Sequence, residues 1–379
     1  MSLSPPTTDV DDRLVAELCR VAAADRGDVG TVVRTHLRRV APLVDADAGE
    51  RLVRAAVARL DGLGALDALL TDDTVDEVLV NPSGDIWVER GGSLQPAGHL
   101  AAADLGVVVE RILAPLGRRL DRTSPLVDAR LPDGSRVCAV IPPIAPDGAC
   151  LSVRRFRDRA LPLDAFADAA VGAVLDLAIV GRCNVVVSGS TSSGKTSLLN
   201  TVLGRTPAGE RIVTIEDTAE LLPAADHLVR LESRPATPDG PAAVDLGQLV
   251  RTALRLRPDR LVVGEVRGSE VLALVQALNT GHDGSWSTCH ANSALDALHR
   301  LETLVIQAAP AWPLAAVRQH LGRSIDVVVH LARREDGSRA VTEVGEVEHG
   351  TDRGVGERLA LRPIVAGDRV VGRITRVRR

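Results

Sequence analysis

Two hydrophobic patterns follow one another along the chain and predict two regions of different fold. In the first region, apolar residues recur every three or four positions around residues 11–24 and 48–60, as in amphipathic helices. Short apolar runs follow, separated by turns that contain Pro, Gly and Asp, and each run predicts a strand. The predicted strands and hairpins are residues 75–81, 86–92, 129–143 and 150–156, and a helix is predicted over 103–117. Residues 70–156 therefore predict a small α+β domain.

A different pattern begins near residue 165, where strands that are apolar at almost every position alternate with helical stretches. The predicted strands are residues 184–190, 211–217 and 260–266, and the predicted helices are residues 195–204, 246–257 and 268–280. Strands without polar alternation are typical of a parallel sheet that helices cover on both faces. The second half of the chain is therefore predicted to have an α/β fold.

Changes in pattern divide the chain into four predicted segments. A Ser-, Thr- and Pro-rich tail (residues 1–8) and a helix occupy residues 1–45, and the α+β domain with its leading helix occupies 46–157. The α/β domain spans 158–345, and β-like runs predict a C-terminal extension over 346–379.

No apolar run approaches the roughly 20 residues that a membrane-spanning helix needs. The longest run, 171–187, is interrupted by Asp176, Arg182 and Asn184. The N-terminus is acidic and lacks the apolar core of a secretory signal. The sequence therefore predicts a cytosolic protein without a membrane span, which works at a membrane only through a partner.

Composition narrows the function classes. With 45% hydrophobic and 25% charged residues the chain is an ordinary globular protein, and its net charge of −5 argues against binding to nucleic acid. The five cysteines form no CxxC pair, so no metal cage is predicted.

Of the 45 basic residues only Lys195 is a lysine. A single lysine in so arginine-rich a chain marks a position that a guanidinium cannot fill.

Lys195 lies in the strongest motif of the chain, GSTSSGKT at 189–196, which matches G-x-x-x-x-G-K-[ST] between a predicted strand and helix. Such a loop points backbone N–H groups at phosphates, aided by the positive end of the following helix. Lys195 is expected to reach the β- and γ-phosphates of a nucleotide, and the Thr196 hydroxyl is expected to bind Mg²⁺. The candidate nucleotide-binding residues are Gly189, Ser190, Thr191, Ser192, Ser193, Gly194, Lys195, Thr196 and Ser197.

Acidic residues at the ends of two other strands are candidates for catalysis. Glu265 ends RLVVGEV and is expected near the phosphates, because ligands of open α/β sheets bind beyond the carboxyl ends of strands. Glu265 could polarise an attacking water or hold Mg²⁺ through a water molecule. Glu216, Asp217 and Glu220 reach the same edge, where crowded carboxylates need a cation or a basic partner. A solvated carboxylate at a strand end is the alternative.

Two histidines, His282 and His290, lie eight residues apart in GHDGSWSTCHAN at 281–292. Beside a phosphate-binding loop they could donate to a γ-phosphate or respond to its loss. Histidines at this spacing also pack in cores or face solvent, so the spacing alone leaves both interpretations open.

Taken in order, these segments resemble the secretion ATPase family of type II and type IV secretion systems, and most of all its Tad-pilus (CpaF-like) branch. The matches are GSTSSGKT with Walker A, TIEDTAEL with the Asp box, LRLRPDRLVVGEVRGSE with Walker B and NTGHDGSWSTCHAN with the His box. Gly264 stands where other P-loop ATPases carry an aspartate, and this Gly-Glu form is normal in the family. The likeness covers roughly residues 45–345.

The resemblance implies a homohexameric ring whose protomers join an N-terminal domain to a RecA-like P-loop NTPase domain, with ATP bound between the two. By position in the motifs, Glu265 is the catalytic glutamate, Glu216 its Asp-box helper, and His282 and His290 the His-box residues. The implied metal site is Thr196, Glu216 and Glu265.

The resemblance also implies that arginines of the N-terminal domain contact phosphates. The candidates are Arg136, Arg154 and Arg155, each of which could instead be a solvated side chain. The implied partners are further copies of the chain and an inner-membrane secretion or pilus platform.

Three functions are compatible with the sequence. The first is an ATPase motor, with Mg²⁺ as cofactor, that drives assembly of a pilus or secretion machine at the inner face of the membrane. The second is a DNA-conjugation or nucleic-acid translocation ATPase, favoured by the basic tail RVVGRITRVRR but opposed by the acidic net charge and the lack of aromatic stacking residues. The third is a non-hydrolysing nucleotide switch, which the presence of Glu265 and Glu216 opposes.

Overall fold

The computed structural model describes residues 9–23, 27–60, 62–156, 161–234, 242–334, 336–348, 358–367 and 369–378. The chain divides into an N-terminal unit, Met1–Arg157, and a C-terminal unit, Asp158–Arg379. The tail predicted at residues 1–8 lies outside the described residues.

Three helices pack together at the start of the N-terminal unit. They are α1 (Asp9–Ala23), α2 (Val29–Val40) and α3 (Ala46–Leu60). Leu18, Val33 and Ala56, one from each helix, are fully buried in their common core. The sequence pattern predicts α1 and α3 but not α2, whose many β-branched residues lower its helix propensity. Because α1 and α2 share a core with α3, no structural boundary falls at residue 45.

A six-stranded antiparallel sheet follows the three helices in the described part of the N-terminal unit, in the order β3-β2-β1-β6-β5-β4. Its strands are β1 (Glu77–Val80), β2 (Asp85–Arg90), β3 (Ser93–His99), β4 (Leu126–Arg130), β5 (Arg136–Val140) and β6 (Cys150–Arg154). Two helices, α4 (Leu66–Thr71) and α5 (Ala102–Leu113), supply apolar side chains to the core on one face of the sheet. The two predicted hairpins are present as β1–β2 and β4–β5.

The described part of the C-terminal unit contains a nine-stranded sheet in the order β15-β14-β13-β12-β7-β11-β10-β8-β9. Its strands are β7 (Val185–Gly189), β8 (Ile212–Glu216), β9 (Leu228–Glu232), β10 (Arg260–Val263), β11 (Trp286–His290), β12 (Val327–Arg333), β13 (Arg339–Val347), β14 (Leu361–Ala366) and β15 (Arg369–Val370). From β12 to β9 neighbouring strands are parallel. The uniformly apolar strands of the sequence therefore form the parallel sheet that their pattern predicts.

Helices cover both faces of this sheet, which is why its central strands lack polar alternation. They are α6 (Ala169–Val180), α7 (Lys195–Leu203), α8 (Leu246–Ala253), α9 (Glu270–Leu278), α10 (Ala294–Ala308) and α11 (Leu314–Ser324). One core contains side chains of α6 and α7, and the other contains side chains of α8 to α11. No helix in the described part of the chain is both long and apolar enough to cross a membrane.

The C-terminal residues continue the sheet instead of forming a separate extension. β13, β14 and β15 add antiparallel strands beyond β12, so the predicted boundary at residue 346 falls inside β13. After β15, Arg376 and Arg378 both form ion pairs with Asp326, whose side chain is fully buried. Arg378 also pairs with Asp283. Ion pairs with a buried carboxylate therefore hold residues 376–378 against the sheet.

Candidate functional site

The carboxyl ends of four neighbouring strands bring most of the predicted site residues together. β7 ends at Gly189, which lies opposite His290, the last residue of β11. Glu265 follows β10 after one residue, and Glu216 ends β8. Because β7, β11, β10 and β8 are consecutive and parallel, the loop of residues 189–196 and these side chains lie along one edge of the sheet.

The loop between β7 and α7 encloses the single lysine. Gly194 precedes α7 with φ +96°, a left-handed conformation that glycine adopts without strain. Lys195 is only 7% exposed, and its Nζ donates to the carbonyl oxygens of Gly189 (2.9 Å) and Ser190 (2.8 Å). The ammonium group is thereby held beside the N-terminus of α7, where the helix dipole adds to its positive potential.

His290 connects this lysine to the carboxylate of Glu265. Lys195 Nζ lies 3.4 Å from His290 Nδ1, and His290 Nε2 lies 2.8 Å from Glu265 Oε1. Burial and the charge of Lys195 lower the pKa of His290, so the imidazole is neutral at neutral pH. Glu265 Oε1 is buried and has no hydrogen-bond partner among the described residues, so His290 and Glu265 are in close contact without forming a hydrogen bond.

Arg267 holds the other oxygen of Glu265, with a distance of 2.5 Å between the Arg267 guanidinium and Glu265 Oε2. The sequence motifs did not single out Arg267, although it lies only two residues after Glu265. Thr288 was also missed; its hydroxyl donates to the carbonyl of Gly264 at 2.5 Å and so supports the turn that carries Glu265. Both residues position the carboxylate.

Glu216 is buried, and its carboxylate binds the backbone of the turn that follows β8. Oε1 accepts N–H groups from Glu220 (3.0 Å) and Leu221 (2.9 Å). Burial raises the pKa of Glu216 to about 7, although these hydrogen bonds oppose the shift. A carboxylate used in this way is suited to shaping the site and poorly suited to direct metal ligation.

Two of the remaining acidic candidates take other roles. Asp217 accepts a hydrogen bond from the Ser233 hydroxyl at 3.2 Å, which ties the end of β8 to the end of β9. The backbone N–H of Glu220 binds Glu216, while its own side chain is half-buried.

His282 lies at the opposite edge of the sheet from His290, because it precedes β11 whereas His290 ends it. His282 Nδ1 is 3.2 Å from the carbonyl oxygen of Ala277 and 3.4 Å from the Thr280 hydroxyl, near the C-terminus of α9. The structure therefore does not bring His282 to the 189–196 loop. The eight residues from His282 to His290 span a whole strand, so the two side chains lie at opposite ends of β11.

The arginine candidates of the N-terminal unit separate into two groups. Arg136 on β5 and Arg154 on β6 are cross-strand partners and share one face of the sheet. Arg130 on β4 is the other neighbour of Arg136, so three arginines form a row of which the sequence reasoning found two. Arg155 differs, since its guanidinium donates to the carbonyl of Asp72 and so supports a turn of the N-terminal unit.

The described part of the protein supplies few side-chain ligands for a magnesium ion. No group of three or more His, Cys, Asp or Glu side chains that could hold a metal ion occurs among the described residues. Thr196 lies in the first turn of α7, at the position that the motif requires. Mg²⁺ is usually held by one or two protein groups together with substrate phosphates and water, so such a sparse donor set fits it.

Comparison with known proteins places the chain in a family. The sequence pattern of the family described as type II/IV secretion system protein matches residues 59–365. The chain belongs to this family. A Mycobacterium tuberculosis relative that is named for conjugal transfer is 39% identical over 305 residues, covering 77% of this chain and 86% of the relative. The conjugal transfer protein TrbB of Rhizobium radiobacter is 34% identical over 328 residues, covering 84% and 93%.

Solved structures share the fold. The ATPase DotB of Legionella pneumophila matches with a TM-score of 0.50 and 19% identity, over 74% of this chain and 77% of that one. The pilus retraction motor PilT, solved with bound ADP, matches with a TM-score of 0.51 and 18% identity, over 77% and 80%. The predicted fold class, with a RecA-like C-terminal domain and a smaller N-terminal α+β domain, is confirmed. The predicted secretion family is confirmed as well, while its Tad-pilus branch stays a prediction.

Proposed function

We propose that the protein is an ATP-hydrolysing motor of a type II/IV secretion machine. The observation that carries this proposal is the line of contacts from Lys195 through His290 to Glu265. It joins an ammonium group suited to the β- and γ-phosphates with a carboxylate suited to activating water. A change in phosphate charge beside Lys195 would therefore alter the electrostatic potential at Glu265. A motor requires such coupling between the bound phosphates and the catalytic residue.

Each residue of the site has a part in the proposed reaction. Backbone N–H groups of the 189–196 loop and Lys195 bind the phosphates, and the Thr196 hydroxyl would hold Mg²⁺, which neutralises phosphate charge when bound. Glu265 accepts a proton from the attacking water, with Arg267 holding one of its oxygens by a hydrogen bond and His290 in contact with the other. Glu216 shapes the neighbouring turn.

The proposal extends to the N-terminal unit and to partners. Arg136 and Arg154, with Arg130 beside them in the same row, supply further phosphate contacts, as the family resemblance implies. Further copies of the chain form a ring, and an inner-membrane platform protein receives the motion on the inner face of the membrane. The motif resemblance supports a Tad-like pilus, and the names of the two relatives support conjugal transfer.

The test is Mg²⁺-dependent ATP turnover per protomer, measured as the protein concentration is raised. We expect turnover per protomer to climb with concentration and to fall by a factor of about 10² or more in Lys195→Ala and Glu265→Gln. Glu232→Gln is a matched control, because Glu232 is an exposed carboxylate at the end of a strand of the same sheet. Full turnover in Glu265→Gln would overturn the mechanism, and a substantial rate independent of concentration would overturn the ring.

Nucleic-acid translocation is the second candidate, favoured by relatives that are named for conjugal transfer. The basic tail supports it less than the sequence implied, since Arg376 and Arg378 are half-buried and paired with Asp326. Salt-sensitive DNA binding together with DNA-stimulated ATP turnover would favour this candidate over the first.

A further inference from the structure

Arg339, the first residue of β13, covers the glycine that precedes the loop lysine. A Cβ built on Gly194 would lie 2.6 Å from Arg339 Cδ and 3.2 Å from Arg339 Nε. The aliphatic part of Arg339 therefore runs directly over Gly194 and brings the guanidinium beside the 189–196 loop. This contact adds to the left-handed φ of +96° in favouring glycine at residue 194.

The sheet fixes this approach. β12 is the neighbour of β7 on the side away from β11, and it turns back into β13, so the start of β13 returns to the loop. Val341 N donates to the carbonyl oxygen of Phe166 at 2.8 Å, which anchors β13 close to Arg339. The ring of Phe166 is 2% exposed and approaches the same Cβ position on Gly194 to 3.5 Å. Gly194 thus lies between Arg339 and a buried ring.

The charge of Arg339 is not balanced by the part of the chain that the structure describes. No described carboxylate lies within 4.0 Å of its guanidinium, and no described group forms a hydrogen bond with it. Its cross-strand partner Arg333 differs, because Arg333 Nε donates to the carbonyl oxygen of Gly337 at 3.3 Å. Arg339, Lys195 and the N-terminus of α7 therefore concentrate positive potential on one loop, which favours an anion.

We propose that Arg339 is a nucleotide-contacting residue whose guanidinium donates to phosphate oxygens of a nucleoside di- or triphosphate in the 189–196 loop. The proposal rests on the proposed function and adds to it a residue from the other end of the domain. A planar guanidinium suits this role because it can present two N–H donors to a phosphate group at once.

The experiment is calorimetric titration of the full chain with ADP and with AMP. Arg339→Met retains an apolar stem over Gly194 but removes the guanidinium, and Arg333→Met makes the same change in the cross-strand partner. We expect Arg339→Met to weaken ADP binding by a factor of about 10 to 100 and to reduce its dependence on salt. Arg333→Met should change the dissociation constant by less than about twofold, and Arg339→Lys should fall between wild type and Arg339→Met.

The outcomes separate this proposal from the proposed function. If Arg339→Met binds ADP like wild type while Lys195→Ala loses binding, the role of Arg339 is wrong and the nucleotide site stands. If wild type binds neither ADP nor ATP, both proposals fall. A loss in Arg339→Met that is as large for AMP as for ADP would place the contact on the nucleoside and overturn the assignment to the phosphate chain.

Discussion

Gly264 packs directly against the side chain of Glu216. A Cβ on residue 264 would come within 2.6 Å of Glu216 Cγ and 3.2 Å of Glu216 Oε1. Gly264 N also donates to the carbonyl oxygen of Ile215 at 2.9 Å, so the backbone cannot withdraw without losing a hydrogen bond. The residue before Glu265 therefore has no room for a side chain, which explains the absence of aspartate from this motif.

Gly264→Ala should destabilise the protein and impair the site. Adding a methyl group to a packed region costs roughly 1–3 kcal/mol, and here it would displace Glu216 and the turn that Glu216 binds. Denaturant unfolding and ATP turnover would measure the two effects. Gly106→Ala is the control, since a Cβ there meets nothing within 4 Å, and we expect it to be neutral or slightly stabilising. Equal unfolding midpoints for the two variants would contradict the steric argument.

Glu216 should make stability depend on pH. Its pKa rises from 4.5 to about 7 on burial, so the folded state holds the proton more tightly than the unfolded state. The contribution of Glu216 to the free energy of unfolding is therefore greatest below about pH 4.5. It is lost as the pH rises through about 7. Glu216→Gln keeps a carbonyl acceptor but cannot ionise. We therefore expect its free energy of unfolding, relative to wild type, to increase by about 3 kcal/mol between pH 4.5 and pH 8. Parallel pH curves for the two proteins would disprove the shift.

The two histidines of the motif should behave differently. His290→Ala breaks the connection between Lys195 and Glu265, and we expect kcat for ATP to fall by a factor of about 10². His282→Ala removes contacts at the end of α9 and should cost about 1 kcal/mol of stability while kcat changes less than about threefold. Steady-state turnover at saturating ATP, with thermal melts of both variants, tests this. A loss of turnover in His282→Ala equal to that in His290→Ala would show that His282 reaches a site by another route.

Asp326 should be far more important for stability than an exposed ion-pair carboxylate. Asp326 is fully buried between Arg376 and Arg378, so Asp326→Ala leaves two partly buried guanidinium groups without their partner and should cost about 3–5 kcal/mol. Asp176→Ala is the matched control, because Asp176 forms an exposed pair with Arg205 and should cost less than about 1 kcal/mol. Urea unfolding of both variants measures the difference, and similar costs would contradict a structural role for the C-terminal tail.

Much of the fold is readable from local pattern. The apolar runs of β7, β8 and β10 predict strands because burial on both faces requires an apolar residue at nearly every position. The 189–196 motif predicts a loop between a strand and a helix because the turn into α7 requires Gly194 and Lys195. Both requirements are local in the sequence. The sequence did not predict α2, because its helix propensity is weak. Packing against α1 and α3 overrides this propensity, and no local pattern encodes that packing.

The parts of the site that were not predicted depend on strand order. Arg339 follows Lys195 by more than a hundred residues and reaches the loop only because β12 lies beside β7. His282 was grouped with His290 because both lie in the segment that resembles the His box, but the direction of β11 separates them. The basic tail favoured a nucleic-acid translocase in the sequence, whereas Arg376 and Arg378 find their partner Asp326 only after the sheet has formed.

The place of β7 in the sheet also affects how the protein is made. Both neighbours of β7, β11 and β12, are synthesised roughly 100 and 140 residues after it. At about 5–20 residues per second, the ribosome exposes this apolar strand with both edges unpaired for on the order of ten seconds. Unpaired apolar strands associate readily with other chains. Nascent chains that stall before residue 327 should therefore aggregate or engage a chaperone, and the 189–196 loop gains its full support only after β12 has been synthesised.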